Sequence, residues 1–356
     1  MTLAQKRRIA CILSMILVVG AGLLSACGGA TEEPADETGQ RQEETAQPDE
    51  ETPQQLQPVS VMLDWYPNAV HAFLYAALDQ GYFAEEGLDV RIQMPAETND
   101  PLRLVAANQV DFALSYQPQV LMARAEGIPV VSLAAVVRHP LNALMVKEDS
   151  GITSPKDLEG KRVGYPSIPT NEAILKTVLE ADGADLSKVD LVDVGWDLLP
   201  AVSTDRVDAL VGGYINHEQV LLEKQGIPMQ AIDLTRYGVP DYYELVLVAS
   251  ERTVSEQREQ VEAFWRALDQ GYAFVVENPE QGLALLMESQ NGNFPLEEDV
   301  ERKSLEILLP LMDAGEQPFG YQEKSSWERV NQWLASEGVI ESPVAIDGAF
   351  VDVVER

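Results

Sequence analysis

From Val59 onward the chain alternates short apolar runs with amphipathic stretches. VSVMLDW (59–65) reads as a strand, and AVHAFLYAALDQGYF (69–83) as a helix that stops at Gly81. LDVRIQMP (88–95) is strand-like, DPLRLVAANQ (100–109) helical and VDFALSY (110–116) strand-like again. PQVLMARAEG (118–127) predicts a helix with Pro118 near its first turn, and PVVSLAAVVRH (129–139) a strand. Strands and helices alternating at this spacing predict parallel βαβ units.

A second stretch starts the pattern over. ITSPKDLEGKRVGYP (152–166) gives a turn and a strand, TNEAILKTVLEADG (170–183) a helix, and VDLVDVG (189–195) a strand. DLLPAVSTDRVDALVGGY (197–214) reads as a helix leading into a strand. The stretch 110–130 also echoes 207–229: each runs Val-Asp, apolar strand, tyrosine, turn, Gln-Val-Leu helix, Gly-Ile-Pro. ELVLVAS (244–250) is one more strand, followed by about a hundred mostly helical residues. AFVDVV (349–354) closes the chain as a helix or a strand. The expected architecture is therefore α/β: two lobes on a hinge, crossed near 145–150 and again near 245–250, with a cleft between them. The expected partition is a first lobe from 59–147 and 246–356 and a second lobe from 148–245.

The N-terminus changes the address. Lys6, Arg7 and Arg8 precede the apolar run IACILSMILVVGAGLL, and LSAC (Leu24–Cys27) ends it with small residues before a cysteine. That is the form of a secretory signal, here residues 1–26. Residues 27–58, rich in Glu, Gln, Thr and Pro, cannot bury enough surface to order themselves, which predicts an acidic tether. The two cysteines of the chain, Cys11 and Cys27, both fall in this region, so thiol chemistry is excluded from the folded part. A net charge of −33 makes nucleic acid an implausible partner. His71, His139 and His217 lack ligand spacing, so no metal is expected.

In open α/β sheets a ligand sits outside the carboxyl ends of the strands. Those ends carry Asp64 and Trp65, Tyr116, and Tyr214 with Glu218 four residues on. Asn171 opens the helix after KRVGYP. Asn171 fits a helix N-cap as well as a ligand contact, and the aromatics could pack inward. Together they make an aromatic, acceptor-rich set. The four-residue step predicts that Tyr214 and Glu218 share one face of a first helical turn.

LDWYPNAVHA (63–72) resembles the Leu-Asp-Trp-x-Pro-Asn-x-x-His signature of solute-binding proteins for thiamine pyrimidine precursors, and the later blocks SYQPQVLMARAEGIPV, ITSPKDLEGKRVGYPSIPTNEAILKT and GGYINHE follow in the same order. The resemblance is nearest to the formylaminopyrimidine-binding lipoproteins of ABC importers and spans about 59–345. It implies a periplasmic-binding-protein-like (type II) fold and no catalysis. It also implies ligand contacts from Asp64, Trp65, Tyr116, Asn171, Tyr214 and Glu218, with Asn68 and His71 in support. LSAC is similar to a lipobox, which implies lipidation of Cys27, a monomer tethered outside the membrane, and permease and ATPase subunits as partners. Hydroxymethylpyrimidine and riboflavin are alternative solutes. Pyrimidine synthases of this fold use the signature histidine with pyridoxal phosphate and iron, but they carry a cysteine-rich motif that this chain lacks, so no cofactor is expected. Phe73 departs from the small residue usual at its position and is expected to narrow the loop beside Trp65.

Overall fold

The computed structural model describes residues 55–290 and 294–353. The leader, Cys27 and nearly all of the tether lie outside that range. Among the described residues no helix is long and apolar enough to cross a membrane.

Two five-stranded sheets divide the folded part. The first has the order β2-β1-β3-β10-β4, built from β1 (Gln57–Met62), β2 (Leu88–Gln93), β3 (Phe112–Ser115), β4 (Val130–Val137) and β10 (Leu245–Ser250). The second has the order β7-β6-β8-β5-β9, from β5 (Asn142–Lys147), β6 (Arg162–Tyr165), β7 (Asp190–Asp193), β8 (Ala209–Tyr214) and β9 (Met229–Ile232). β1 begins at Gln57, so Gln57 and Pro58 belong to the sheet and not to the tether assigned to them from composition. Their backbone pairs with Leu88 and Asp89 of β2.

Each sheet contains one antiparallel strand, and it is the strand that enters from the other lobe. β10 runs against β3 and β4, and β5 runs against β8 and β9. The other strands point their carboxyl ends toward the crossover, so a strand that starts at the crossover must run the opposite way. The outward crossing lies at 138–141, a few residues before the expected 145–150. Asn142–Lys147 pairs on both edges within the second sheet, so the second lobe starts with β5 and not at 148. The return crossing precedes β10: Leu245–Ser250, where the crossing was expected, is already a strand of the first sheet. β4 and β10 are buried along their whole length, as expected for strands covered on both faces.

The 110–130 and 207–229 echo becomes a structural equivalence. β3 and β8 each hold the third place in their sheet, a tyrosine stands just after β3 and at the end of β8, and each leads into a short helix: α4 (Gln117–Ala125) or α7 (Glu218–Lys224). The C-terminal 349–351 segment forms neither helix nor strand. It lies beside β4, exchanging backbone hydrogen bonds with Ser132.

Helices α1 (Ala72–Asp79), α9 (Arg258–Glu277) and α10 (Pro279–Ser289) cover the first sheet. Phe73 does not narrow the Trp65 loop. It is buried in this layer, edge-on to Phe319 with centroids 6.2 Å apart. Its backbone explains Gly271: a Cβ there would lie 2.3 Å from the Phe73 carbonyl and 2.8 Å from Ala77 Cβ. Glycine is what lets α9 approach α1 so closely. Gly271→Ala should therefore overpack the interface and cost about 1–3 kcal/mol, read as a lower denaturation midpoint; an unchanged midpoint would contradict this packing.

Candidate functional site

Five of the six strand-mouth residues named from the sequence line one hollow between the lobes, and the sixth, Asn171, lines a recess beside it. Asp64, Trp65, Tyr116, Tyr214 and Glu218 line a cleft of about 380 Å³ with Val70, Pro166, Ile168, Leu198 and Gly212 among its other walls. Asn171 lines an adjoining recess, which shares Tyr116, Ile168, Gly212 and Tyr214 with the cleft.

The loop after β1 is locked locally. Asn68 caps the turn Ala69–His71, accepting from the Val70 N–H at 3.0 Å. His71 Nδ1 accepts from the Asn68 N–H at 3.2 Å, so the ring proton resides on Nε2. That proton is donated to Asp64 Oδ1 at 2.9 Å. The other oxygen of Asp64 accepts the Tyr116 hydroxyl at 3.0 Å. Asn68 and His71 thus shape the loop and aim Asp64.

On the second lobe, Tyr214 ends β8 and Glu218 begins α7, so the pair does not share a helical turn. Glu218 Oε2 instead folds back to accept the Tyr214 N–H at 2.8 Å. Among the described residues its Oε1 takes no hydrogen bond, leaving that oxygen to the cleft. Asn171 is not a helix cap either, since Pro169 holds that position before α5 (Thr170–Ala181). Its amide belongs to a relay whose polarity is determined. The Gly212 N–H donates to Asn142 Oδ1 at 2.7 Å, so Asn142 Nδ2 must donate, and it does so to Asn171 Oδ1 at 2.9 Å. Asn171 therefore offers Nδ2, a donor, to the recess. Gly212 is required here: its φ is +96°, and a Cβ would fall 2.6 Å from Pro166 and 2.7 Å from Asn171 Nδ2.

Trp65 reaches across the cleft into an apolar cluster of the second lobe with Val194, Leu198 and Leu210. Its ring lies 4.0 Å from that of Trp196, tilted by 41°. Its buried indole N–H lies beside the Tyr66 hydroxyl, which bonds His217 Nε2 at 2.8 Å. That tyrosine–histidine bond joins the lobes. So do Asn216 Nδ2 to Ser304 Oγ at 2.9 Å and Trp333 Nε1 to Thr177 Oγ1 at 2.9 Å. His217 also faces Glu301, whose Oε2 takes the Ala69 N–H at 2.7 Å. Burial raises the Glu301 carboxyl.

Residue reading missed Tyr66, Asn142, Trp196, Glu301 and, above all, Glu244. Only 3% exposed, Glu244 sits on the return crossing. Its Oε2 accepts the N–H groups of Leu141 and Asn142 on the outward crossing, at 2.8 and 2.9 Å, and the Tyr242 hydroxyl at 3.2 Å. Its Oε1 accepts the Tyr214 hydroxyl at 3.1 Å. The signal was present: a carboxylate directly before a fully apolar strand cannot sit there without donors. Burial raises the tyrosines too, Tyr116 and Tyr214 both well above the ordinary range. Among the described residues no cluster of His, Cys, Asp and Glu could hold a metal ion. His139 is engaged with Asp241 near the surface.

Residues 68–282 match the family described as NMT1/THI5 like. The chain belongs to that family. Within it, the chain is 48% identical over 303 residues to a formylaminopyrimidine-binding protein of Halalkalibacterium halodurans, covering 85% of this chain and 92% of that one. It is 29% identical over 235 residues to a 4-amino-5-hydroxymethyl-2-methylpyrimidine phosphate synthase of Legionella pneumophila, covering 65% and 73%. In fold it is similar to the alkanesulfonate-binding protein SsuA of Xanthomonas axonopodis pv. citri, with a TM-score of 0.64 at 13% identity over 83% of this chain and 98% of that one. This NMT1/THI5-like chain thus has the two α/β lobes that the repeated pattern predicts, in the periplasmic-binding-protein fold that the resemblance implies.

Burial pushes the Glu244 carboxyl up to about 7, with its four hydrogen bonds opposing the shift. In the unfolded chain the same group titrates near its ordinary 4.5. The folded form therefore holds the proton longer, a contribution complete below about pH 4.5 and lost as pH rises through about 7. Its size is at most about 3 kcal/mol. Urea unfolding of the ligand-free protein should show wild-type stability falling relative to Glu244→Gln between about pH 5 and 8. A difference independent of pH would contradict this.

Proposed function

We propose that this chain is the extracytoplasmic solute-binding component of an ABC importer and captures a formylaminopyrimidine, a thiamine precursor. The observation that carries the reading is the gathering of Asp64, Trp65, Tyr116, Tyr214 and Glu218 around one cleft, with Asn171 in the recess that adjoins it. The name of the 48% identical relative supports the choice of solute.

The polarities of the site fit that solute. An aminopyrimidine is flat, carries N–H donors on its rim and stacks on aromatic faces for about 0.5–1.5 kcal/mol per pair. Trp65, braced by Trp196, supplies such a face. Glu218 Oε1 accepts from the exocyclic amine in a charge-assisted bond. The formylamino substituent has a carbonyl that accepts and an N–H that donates. Asn171 Nδ2 suits the first, and the oxygens of Tyr116 and Tyr214 suit the second. Hydroxymethylpyrimidine lacks that amide and leaves the Asn171 donor with a poorer partner.

The action is capture. The lobes close about the two crossings, the Tyr66–His217 and Asn216–Ser304 bonds hold them together, and the closed form is presented to permease and ATPase subunits. Lipidated Cys27 and the acidic tether place a monomer at the outer membrane face. Catalysis of the synthase kind is not proposed, because the folded part holds no cysteine to build the metal-binding motif of those enzymes.

Mass spectrometry of small molecules released from the purified protein should identify an aminopyrimidine; a flavin or an alkanesulfonate would overturn the solute. Glu218→Gln should weaken formylaminopyrimidine binding by about tenfold or more in titration calorimetry. Unchanged affinity would remove Glu218 from the site.

A further inference from the structure

Glu244 lines the recess that adjoins the cleft, and both its oxygens already accept from protein donors. Its effect on the cleft is nevertheless specific. An ionised carboxylate can only accept, so the Tyr214 hydroxyl must turn its hydrogen toward Glu244. Asp64 does the same to Tyr116 from the other lobe. The two phenols are close neighbours in the wall shared by the cleft and its recess, and each hydroxyl donates to its own carboxylate. What remains is a pair of oxygens with lone pairs directed inward and no donor between them. We propose that Glu244 is a positioning residue for specificity: it sets the Tyr214 hydroxyl as an acceptor and so selects ligands that bring an N–H to the floor of the cleft. This rests on the reading that the cleft binds formylaminopyrimidine.

The hinge makes the arrangement dependent on closure. Glu244 lies on one crossing and takes its backbone donors from the other, at Leu141 and Asn142. Tyr214 belongs to the second lobe, and Tyr116 with Asp64 to the first. The acceptor pair is complete only when the lobes bring β3 and β8 mouth to mouth. The titratable groups around Glu244 are Tyr214 from β8, Tyr242 beside it on its own crossing, and Tyr116 at the start of α4 with Asp64 behind it; the outward crossing contributes only backbone. The tyrosines stay protonated near neutral pH, whereas burial pushes the Glu244 carboxyl up to about 7. A protonated Glu244 would donate from Oε1 to Tyr214 and reverse that hydroxyl, turning an acceptor into a donor.

Glu244→Gln reproduces the reversed state permanently. The Leu141 and Asn142 N–H groups demand the amide oxygen, so the amide nitrogen must face Tyr214 and push its hydrogen into the cleft. Titration calorimetry with formylaminopyrimidine on wild type, Glu244→Gln, Tyr214→Phe and the double variant tests this. Thermal melts check that each is folded. At about pH 8, Glu244→Gln should bind about ten- to a hundredfold more weakly than wild type. The double variant should be no weaker than Tyr214→Phe alone, because Glu244 acts through that hydroxyl. At about pH 5.5 the gap between wild type and Glu244→Gln should narrow, as wild type takes on the same polarity. Wild-type affinity in Glu244→Gln, or losses that multiply in the double variant, would overturn the positioning role while leaving the ligand assignment intact. A wild type that does not bind the compound would overturn both. Should Glu244→Gln fail to fold, Tyr214→Phe carries the test: the wild-type rise in affinity with pH should shrink in it, and an identical rise would overturn the proposal.

Discussion

Two buried carboxylates, Asp64 and Glu244, stand at opposite ends of the cleft floor, and the arrangement of the site follows from how each is satisfied. Taking a carboxylate out of water is costly unless donors surround it. The protein supplies those donors from the elements that must come together on closing. Asp64 takes the His71 ring and the Tyr116 hydroxyl; Glu244 takes two crossing N–H groups and the hydroxyls of Tyr214 and Tyr242. The same bonds that stabilise the carboxylates orient the tyrosines, so structural satisfaction and ligand preference are one set of contacts.

The placement of this set is a consequence of chain direction. In each lobe the parallel strands end at the crossover, and the entering strand begins there. The β3 and β8 mouths are then equivalent positions in two equivalent sheets, and a tyrosine at each becomes a facing pair. Function concentrates at the crossover because that is where carboxyl ends from both sheets are exposed to each other. Gly212 keeps one wall thin enough for the Asn142–Asn171 relay to lie against it, and Gly271 keeps the first-lobe helices tight at a distance from the chemistry.

Much of this was legible in the residues. Strict alternation of apolar runs and amphipathic stretches located nearly all the strands, and the aromatic and carboxylate residues at strand ends located the cleft. The misses share a cause. Sequence spacing gives periodicity but no information about long-range partners, so Asn171 read as a possible cap although Asn142, 29 positions away, holds its amide. The crossing was placed late because Asn142–Lys147 is equally apolar whichever sheet it joins. Phe73 is next to signature residues in sequence yet is buried in the helical layer against Phe319. The two N–H groups that hold Glu244 come from residues about a hundred positions earlier, which its sequence neighbours cannot reveal.

The direction of four hydrogens is the central claim, and neutron diffraction from a deuterium-exchanged complex with formylaminopyrimidine would show them directly. Deuterons of Tyr116 and Tyr214 should lie on the Asp64 and Glu244 sides, His71 should carry its deuteron on Nε2, and a ligand N–D should point at the phenol oxygens. Tyrosine deuterons directed into the cleft, donating to the ligand, would contradict the account.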